Sequence, residues 1–224
     1  MNKSLFEFLS YYITDRKKQI ICDNIKERTR YITVVLEDIF QPQNASAVLR
    51  TCDCFGIQDV HIIENQNAYN INPDVVLGAT QWLTLKNYNK KENNTLDAIK
   101  ELKSKGYRII ATTLSDKNTS LNDFQLNKGK SALFFGTEQT GLSSDVIENA
   151  DEFLKIPMYG FTESFNISVS AAIILHDLTL KLRQSEINWH LSETEQDELK
   201  VNWVKNTLKT PELLIKEFEK RINK

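Results

Sequence analysis

The sequence predicts an α/β fold: a largely parallel sheet with helices on both faces. Through the middle of the 224-residue chain, short β-branched apolar segments alternate with segments of helical periodicity. This alternation is typical of parallel strands linked by crossover helices. Glycine and proline number only 7 and 4, so we expect most of the chain to be ordered.

Six strands and several helices are predicted in chain order. The strands are residues 31–36, 59–63, 82–85, 107–114, 131–135 and 152–156. Core helices are predicted over 44–56, 94–104 and 169–182, with a short one from Ser143. We expect a helical, partly basic extension over 1–30, a core domain over 31–185, and a helical tail over 186–224 that is interrupted near Pro211.

Charge and cysteine content exclude several classes of protein. The net charge of −2 argues against coating nucleic acid by bulk electrostatics, although residues 1–30 hold seven bases against four acids. That basic segment is either a phosphate-binding surface or a solvated helix face. Three cysteines, of which Cys52 and Cys54 lie two apart on different faces of a predicted helix, and three scattered histidines predict neither a disulfide framework nor a metal site. Without a signal peptide or an apolar span, we expect a cytoplasmic protein with no membrane partner.

A polar loop follows the strand 152–156 and opens an apolar helix. It brings Ser164, Asn166 and Ser168 to the helix start, where backbone N–H groups have no partner within the helix. Such a start is a ready site for a polar ligand or an anion. Ser and Asn are also what an ordinary helix cap requires, so both interpretations stay open.

The loop Gly136–Gly141 lies between another strand and a helix. It has the outer glycines of a phosphate loop but lacks the Lys-Ser/Thr pair, and no G-x-G-x-x-G follows the first strand. An ATPase, a GTPase and a dinucleotide-binding enzyme are therefore disfavoured. The glycines allow close backbone approach to a ligand, which Glu138 would orient. The alternative is an ordinary tight turn.

A third polar segment follows the first strand and contains Asn44 and Arg50. Asn44 is placed at the start of the helix 44–56, where a plain cap is the simplest interpretation. Arg50 interrupts an apolar segment, so its charge must reach solvent or a specific anion such as a phosphate. No hydrolase triad is visible, and these polar residues suit positioning rather than hydrolysis.

These three segments, taken in order, resemble the motifs of the SpoU family of RNA ribose 2′-O-methyltransferases. The motifs are Asn44–Thr51, Phe135–Ser143 and 156–172, and the similarity spans roughly residues 14–185. The short basic N-terminal helix and the helical tail are similar to the TrmH branch, which methylates guanosine 18 in the D-loop of tRNA. The resemblance implies a SPOUT fold with a C-terminal deep trefoil knot, and a homodimer formed through knot helices.

The resemblance also implies the roles of individual residues. It implies S-adenosylmethionine bound at Thr112, Thr113, Leu114, Gly136, Glu138, Gly141, Ile156, Met158 and Phe165. It implies a catalytic site of Arg50, Asn44, Glu138, Ser164 and Asn166. Contacts to tRNA are expected at Arg16, Lys17, Lys18, Lys181 and Arg183. The branch usually carries arginines just after the third-motif helix, where this chain has only Lys181 and Arg183, in a register that differs.

The resulting hypothesis is a tRNA ribose 2′-O-methyltransferase that uses S-adenosylmethionine. One alternative keeps the chemistry and changes the target to ribosomal RNA or to another tRNA nucleotide. The other is a non-catalytic RNA-binding protein with the same fold.

Overall fold

The computed structural model describes residues 2–70, 72–114 and 119–222. These residues group into two compact units, one of residues 29–189 and one of the described residues before 29 and after 189. The sequence-based division at residues 30 and 185 stays a prediction, and its residues 1, 223 and 224 lie outside the described residues.

The larger unit is built on a seven-stranded sheet in which every pairing is parallel. This confirms the predicted α/β class. The strand order is β3-β2-β1-β6-β4-β7-β5. The strands are β1 (Ile32–Glu37), β2 (Asp59–Ile63), β3 (Thr84–Tyr88), β4 (Arg108–Thr112), β5 (Thr119–Ser120), β6 (Ser131–Phe135) and β7 (Glu152–Lys155).

The strand predictions need correction at several points, beyond shifts of one residue in β1 and at the end of β7. β3 begins at Thr84 and runs to Tyr88, because Trp82 instead ends a 3₁₀ turn over Ala79–Gln81. β4 ends at Thr112, two residues short of the predicted end. β5 was not predicted at all, since two residues carry no periodicity that a sequence pattern can detect.

Nine α-helices are present in the described residues. They are α1 (Asn2–Ser10), α2 (Asp15–Asn24), α3 (Pro42–Cys54), α4 (Pro73–Val76), α5 (Thr95–Ser104), α6 (Ser144–Asn149), α7 (Ile167–Arg183), α8 (Glu193–Thr207) and α9 (Pro211–Ile222). None of those within the described ranges is long and apolar enough to cross a membrane.

The start of α3 differs from the prediction in a way that matters for the site. The helix begins at Pro42, whose fixed φ suits the first helical position, and Gln41 stands before it. Asn44 therefore lies inside the first turn and is not the cap. Its side chain is left to bond elsewhere, and it is buried.

Apolar side chains cover the sheet on both faces. Val34 packs in a cluster with residues of α3 and α7, whereas its neighbour Val35 packs on the opposite face with residues of α5. Successive strand residues point to opposite faces, so a fully buried parallel strand must be apolar at nearly every position. All six residues of β1 are buried, including Glu37 at its end.

The smaller unit joins the two ends of the chain. Helix α1 packs against α8 and α9, and the Phe8 and Phe218 ring centroids are 5.4 Å apart. The predicted helical extension over residues 1–30 forms two separate helices, α1 and α2. The second begins anew because Thr14 caps α2 by accepting a hydrogen bond from the Lys17 backbone N–H.

Candidate functional site

An amide–carboxylate cluster of Asn44, Glu138 and Asn166 joins the three polar segments beyond the strand ends. Asn44 Nδ2 donates to Glu138 Oε1 at 3.0 Å, and Asn166 Nδ2 donates to the same oxygen at 2.5 Å. Asn166 Nδ2 also lies 3.0 Å from Asn44 Oδ1. Glu138 Oε2 has no hydrogen-bond partner among the described residues, so it is available to a ligand. The fold therefore brings three of the five predicted catalytic residues together.

Asn166 both caps a helix and belongs to the cluster. Its Oδ1 accepts from the Ser168 backbone N–H at 2.8 Å and from Ser168 Oγ at 2.6 Å, which caps α7. Its Nδ2 is the group that reaches Asn44 and Glu138. One amide thus caps α7 with its oxygen and joins the cluster with its nitrogen, while its role toward a ligand stays a prediction.

The loop Gly136–Gly141 is a tight reverse turn that presents Glu138. Thr137 N donates to Gly141 O at 3.0 Å, and Gly141 N donates to Thr137 O at 3.1 Å. A Cβ on Gly136 would lie 2.2 Å from Gly141 O, and Gly141 has a φ of +71°. Both glycines are required, but at Gly136 the close approach comes from the loop's own backbone rather than from a ligand.

Glu37 anchors the far end of this loop, and sequence reasoning did not single it out. Its Oε2 accepts from Ser143 N at 2.9 Å, and its Oε1 accepts from the Ser143 and Thr95 hydroxyls, each at 2.7 Å. Ser143 in turn caps α6. An acid at the end of a strand that is apolar except for Thr33 was the available signal, because such a carboxylate must find donors.

Two clefts open on either side of the loop. The β6–β7 cleft, of about 450 Å³, runs along the ends of β4, β6 and β7. The β1–β6 cleft, of about 580 Å³, lies between the end of β1 and the loop, and Asn44 and Glu138 line it. The β6–β7 cleft is lined by Ser164 and by all nine residues predicted to bind the cofactor: Thr112, Thr113, Leu114, Gly136, Glu138, Gly141, Ile156, Met158 and Phe165.

Arg50 does not contact the amide–carboxylate cluster. Its side chain is exposed, lines neither cleft, and makes no hydrogen bond or ion pair with the described residues. Helical geometry explains this, since six residues of helix turn Arg50 well away from the direction of Asn44.

The predicted RNA contacts divide into two groups. Arg16 and Lys17 are exposed on α2. The others are engaged within the chain: Lys18 Nζ with Glu7 at 2.7 Å, Lys181 Nζ with Asp177 at 2.7 Å, and Arg183 over the Trp189 ring at 5.1 Å. The hydrogen bond that Lys18 donates to Glu7 raises the pKa of Lys18. In the described ranges no group of three or more His, Cys, Asp or Glu side chains could hold a metal ion.

Comparison with known proteins places this arrangement in a family. The model of the SpoU rRNA Methylase family matches residues 31–176, a range that contains the whole amide–carboxylate cluster and Arg50. The chain belongs to the SpoU methylase family. The resemblance seen in the sequence motifs is thereby confirmed.

Individual relatives extend the match beyond the core. A tRNA (guanosine(18)-2′-O)-methyltransferase of Borreliella burgdorferi is 48% identical over 201 residues, which cover 90% of each chain. The enzyme of the same name from Escherichia coli K12 is 29% identical over 80% of this chain and 78% of its own. The crystal structure of the A. aeolicus TrmH/SpoU tRNA modifying enzyme superposes with a TM-score of 0.77 at 24% identity, over 87% of this chain and 98% of that one.

Proposed function

We propose that this SpoU methylase transfers a methyl group from S-adenosylmethionine to the ribose 2′-oxygen of guanosine 18 in tRNA. The single observation that carries the proposal is the Asn44–Glu138–Asn166 cluster beside a cleft lined by every residue expected to hold the cofactor. The 48% identical relative named for this activity matches over nearly the whole chain.

The β6–β7 cleft suits the cofactor in size and chemistry. Its volume of about 450 Å³ lies within the range of small-molecule pockets. Its walls combine apolar side chains such as Leu154 and Ile174 with the polar groups of Thr112 and Ser164. When bound, S-adenosylmethionine supplies an electrophilic methyl group. Glu138 Oε2 accepts a hydrogen bond from the amine or from a ribose hydroxyl, as a carboxylate can do from several donors at once.

The residues of the chain then act by positioning. The Asn44 and Asn166 amides hold Glu138 and leave the neighbouring space for the target ribose, so the 2′-oxygen is aligned with the methyl group. Arg50 lines neither cleft, so in this proposal its long, exposed side chain bends toward the site when RNA is bound and donates hydrogen bonds to the 2′-oxygen and to an adjacent phosphate. A guanidinium stays protonated under ordinary conditions, so this electrostatic role is easier than removal of a proton by Arg50 itself.

The proposal includes a homodimer, a deep trefoil knot around the β6–β7 cleft, and a cytoplasmic location. Exposed apolar side chains on the third-motif loop and α7 support the dimer, because a second copy would remove them from water. They are Tyr159, Phe161, Val169 and Leu180. The exposed Arg16 and Lys17 are the first candidates for phosphate contacts with tRNA.

Ribosomal RNA is a second candidate substrate, and the description of the matching family favours it. The chemistry and residues would be the same, and only the surface that holds the RNA would differ.

One experiment separates the candidates. Purified protein is incubated with labelled S-adenosylmethionine and with either unmodified tRNA or ribosomal RNA, and the methylated ribose is mapped. Methyl transfer to guanosine 18 supports the proposal. Transfer to ribosomal RNA alone supports the second candidate, and cofactor binding without transfer to any RNA indicates a non-catalytic RNA-binding protein.

A further inference from the structure

The β1–β6 cleft lies where the strand order reverses. From β1 the chain proceeds outward to β2 and β3 on one side, while β6 and β4 lie on the other. Ligands of open parallel sheets bind beyond the carboxyl ends of the strands at such a switch point. The cofactor residues occupy the neighbouring β6–β7 cleft, so this larger cleft of about 580 Å³ has no role in the proposed function so far.

The two clefts share one wall. The loop 137–142 lines both, and Glu138 is exposed to each. A molecule in the β1–β6 cleft and a molecule in the β6–β7 cleft would therefore meet at the amide–carboxylate cluster. This is the geometry that group transfer between two bound molecules needs.

The far wall is polar and held in place. Asp38 Oδ1 accepts three backbone N–H groups, from Asn65 at 2.7 Å, Gln66 at 2.8 Å and Asn67 at 3.2 Å. Asp38 itself has a φ of +52°, a costly conformation that persists because these bonds hold it. Gln66, Asn67 and Gln41 line the cleft. Asn67 Nδ2 donates to Asp38 O at 3.0 Å and Gln41 Oε1 accepts from Asn44 Nδ2 at 3.1 Å, so the other ends of these two amides, together with Gln66, face the edge of a ligand.

Phe40 is an aromatic side chain that the fold leaves in water at this cleft. It lines the cleft, is 75% exposed, and follows the strained Asp38 in the segment that leads to α3. Its neighbour Ile39 packs against the core instead. An exposed ring beside amide groups is the arrangement that proteins use to stack an unpaired nucleobase.

We infer that the β1–β6 cleft receives the target nucleoside, with its base stacked on Phe40 and its ribose beside Asn44 and Glu138. The inference rests on the proposed function, since it names the subsite for the RNA substrate of that reaction. Stacking is tolerant of base identity, so Phe40 contributes affinity for an extruded nucleoside rather than choice among bases.

Kinetics of Phe40 variants test the stacking. We expect Phe40→Ala and Phe40→Leu to lower kcat/KM for tRNA roughly 5- to 150-fold, the loss typical of removing one base–aromatic stack. Phe40→Trp retains activity because it keeps a planar ring. The affinity for S-adenosylmethionine, measured by calorimetry, stays at the wild-type value in all three. Leu96→Ala, at an exposed apolar residue that lines neither cleft, is the matched control and should have no effect.

A crosslink locates the base without requiring turnover. A tRNA transcript with 6-thioguanosine at position 18 is irradiated with the protein, and the tryptic peptides are mapped. We expect the adduct at Phe40 or its neighbours, in the peptide of residues 31–50. An adduct confined to other peptides overturns the inference, as does wild-type kcat/KM in Phe40→Leu. Failure of the proposed function would instead be seen as wild-type protein that methylates no tRNA.

Discussion

Asn44 Nδ2 and Glu138 Oε1 lie 3.0 Å apart although 94 residues separate them in the chain. The contact exists because α3 starts two residues earlier than the sequence pattern suggests, so that Asn44 lies within the first turn. Asn166 completes the group from the start of α7, 122 residues from Asn44. Each of the three polar motifs therefore contributes one side chain to a single hydrogen-bonded unit.

Replacement of Glu138 should separate its two roles. Glu138→Gln keeps a carbonyl oxygen for Asn44 and Asn166 but replaces the available Oε2 acceptor with a donor. We expect a loss of about 10- to 100-fold in kcat/KM, the typical value of a hydrogen bond to a charged group, with an unchanged melting temperature. Glu138→Ala removes both roles and should be less active still. Equal activity of Glu138→Gln and wild type would exclude a ligand contact at Oε2.

Gly136 should tolerate no side chain. In Gly136→Ala the new Cβ would meet the Gly141 carbonyl at 2.2 Å, so the loop that presents Glu138 must shift. We expect loss of cofactor binding in calorimetry, together with a lower melting temperature. Gly160→Ala is the matched control, because no atom lies within 4 Å of a Cβ at that position. Similar binding by both variants would contradict the prediction.

Arg50 should matter for turnover and not for folding. Its side chain is exposed and makes no hydrogen bond or ion pair with the described residues, so Arg50→Ala should unfold at the wild-type temperature. We expect at least a 100-fold loss of methyl transfer, in line with removal of a group that stabilises developing charge. Arg50→Lys should recover little, because an ammonium cannot reproduce the planar fork. Activity near the wild-type rate in Arg50→Ala would remove its catalytic assignment.

Glu37 should be a stability determinant of the loop. Glu37→Gln places an amide nitrogen among the donors of Thr95 and Ser143, which leaves at least one buried group unpaired. We expect the free energy of unfolding to fall by about 1–3 kcal/mol in a urea titration. Glu148→Gln on the exposed side of α6 serves as the control and should change it by less than about 0.5 kcal/mol.

The buried His61 side chain should make the free energy of unfolding depend on pH in the acid range. Burial, reinforced by Lys105, lowers the pKa of His61 from 6.5 to about 4, and its Nδ1 lies 3.0 Å from the Tyr88 hydroxyl. Between about pH 6.5 and 4, His61 is protonated in the unfolded chain but neutral in the folded chain. Stability should therefore fall as the pH drops from about 6.5 to 4, by up to roughly 3 kcal/mol.

The measurement for His61 is urea unfolding at a series of pH values. His61→Gln should flatten the slope between pH 6.5 and 4, whereas His176→Gln, at an exposed position, should retain it. A slope that is the same in wild type and His61→Gln would assign the acid dependence to other groups.

Much of the sheet could be predicted from local pattern. The bounds of β2 and β6 were predicted to the residue, because uninterrupted β-branched and aromatic segments between polar residues leave little ambiguity. The start of β3 was wrong, since the aromatic Trp82 suits a strand and the end of a 3₁₀ turn equally well. Glu37 was missed for a different reason: a single acid at a strand end has no meaning until its donors are known.

The sequence by itself determined the α/β class, the three polar motifs and the SpoU family. Periodicity and short motifs are local properties, so they can be recognised without coordinates. Only the tertiary structure decided which motif residues meet: Asn44, Glu138 and Asn166 do, and Arg50 does not. It also decided that Asn44 is no cap, that Gly136 is required by its own loop, and that Phe40 stands exposed beside a second cleft. Those facts depend on contacts between residues far apart in the chain, which hydrophobic patterns do not encode.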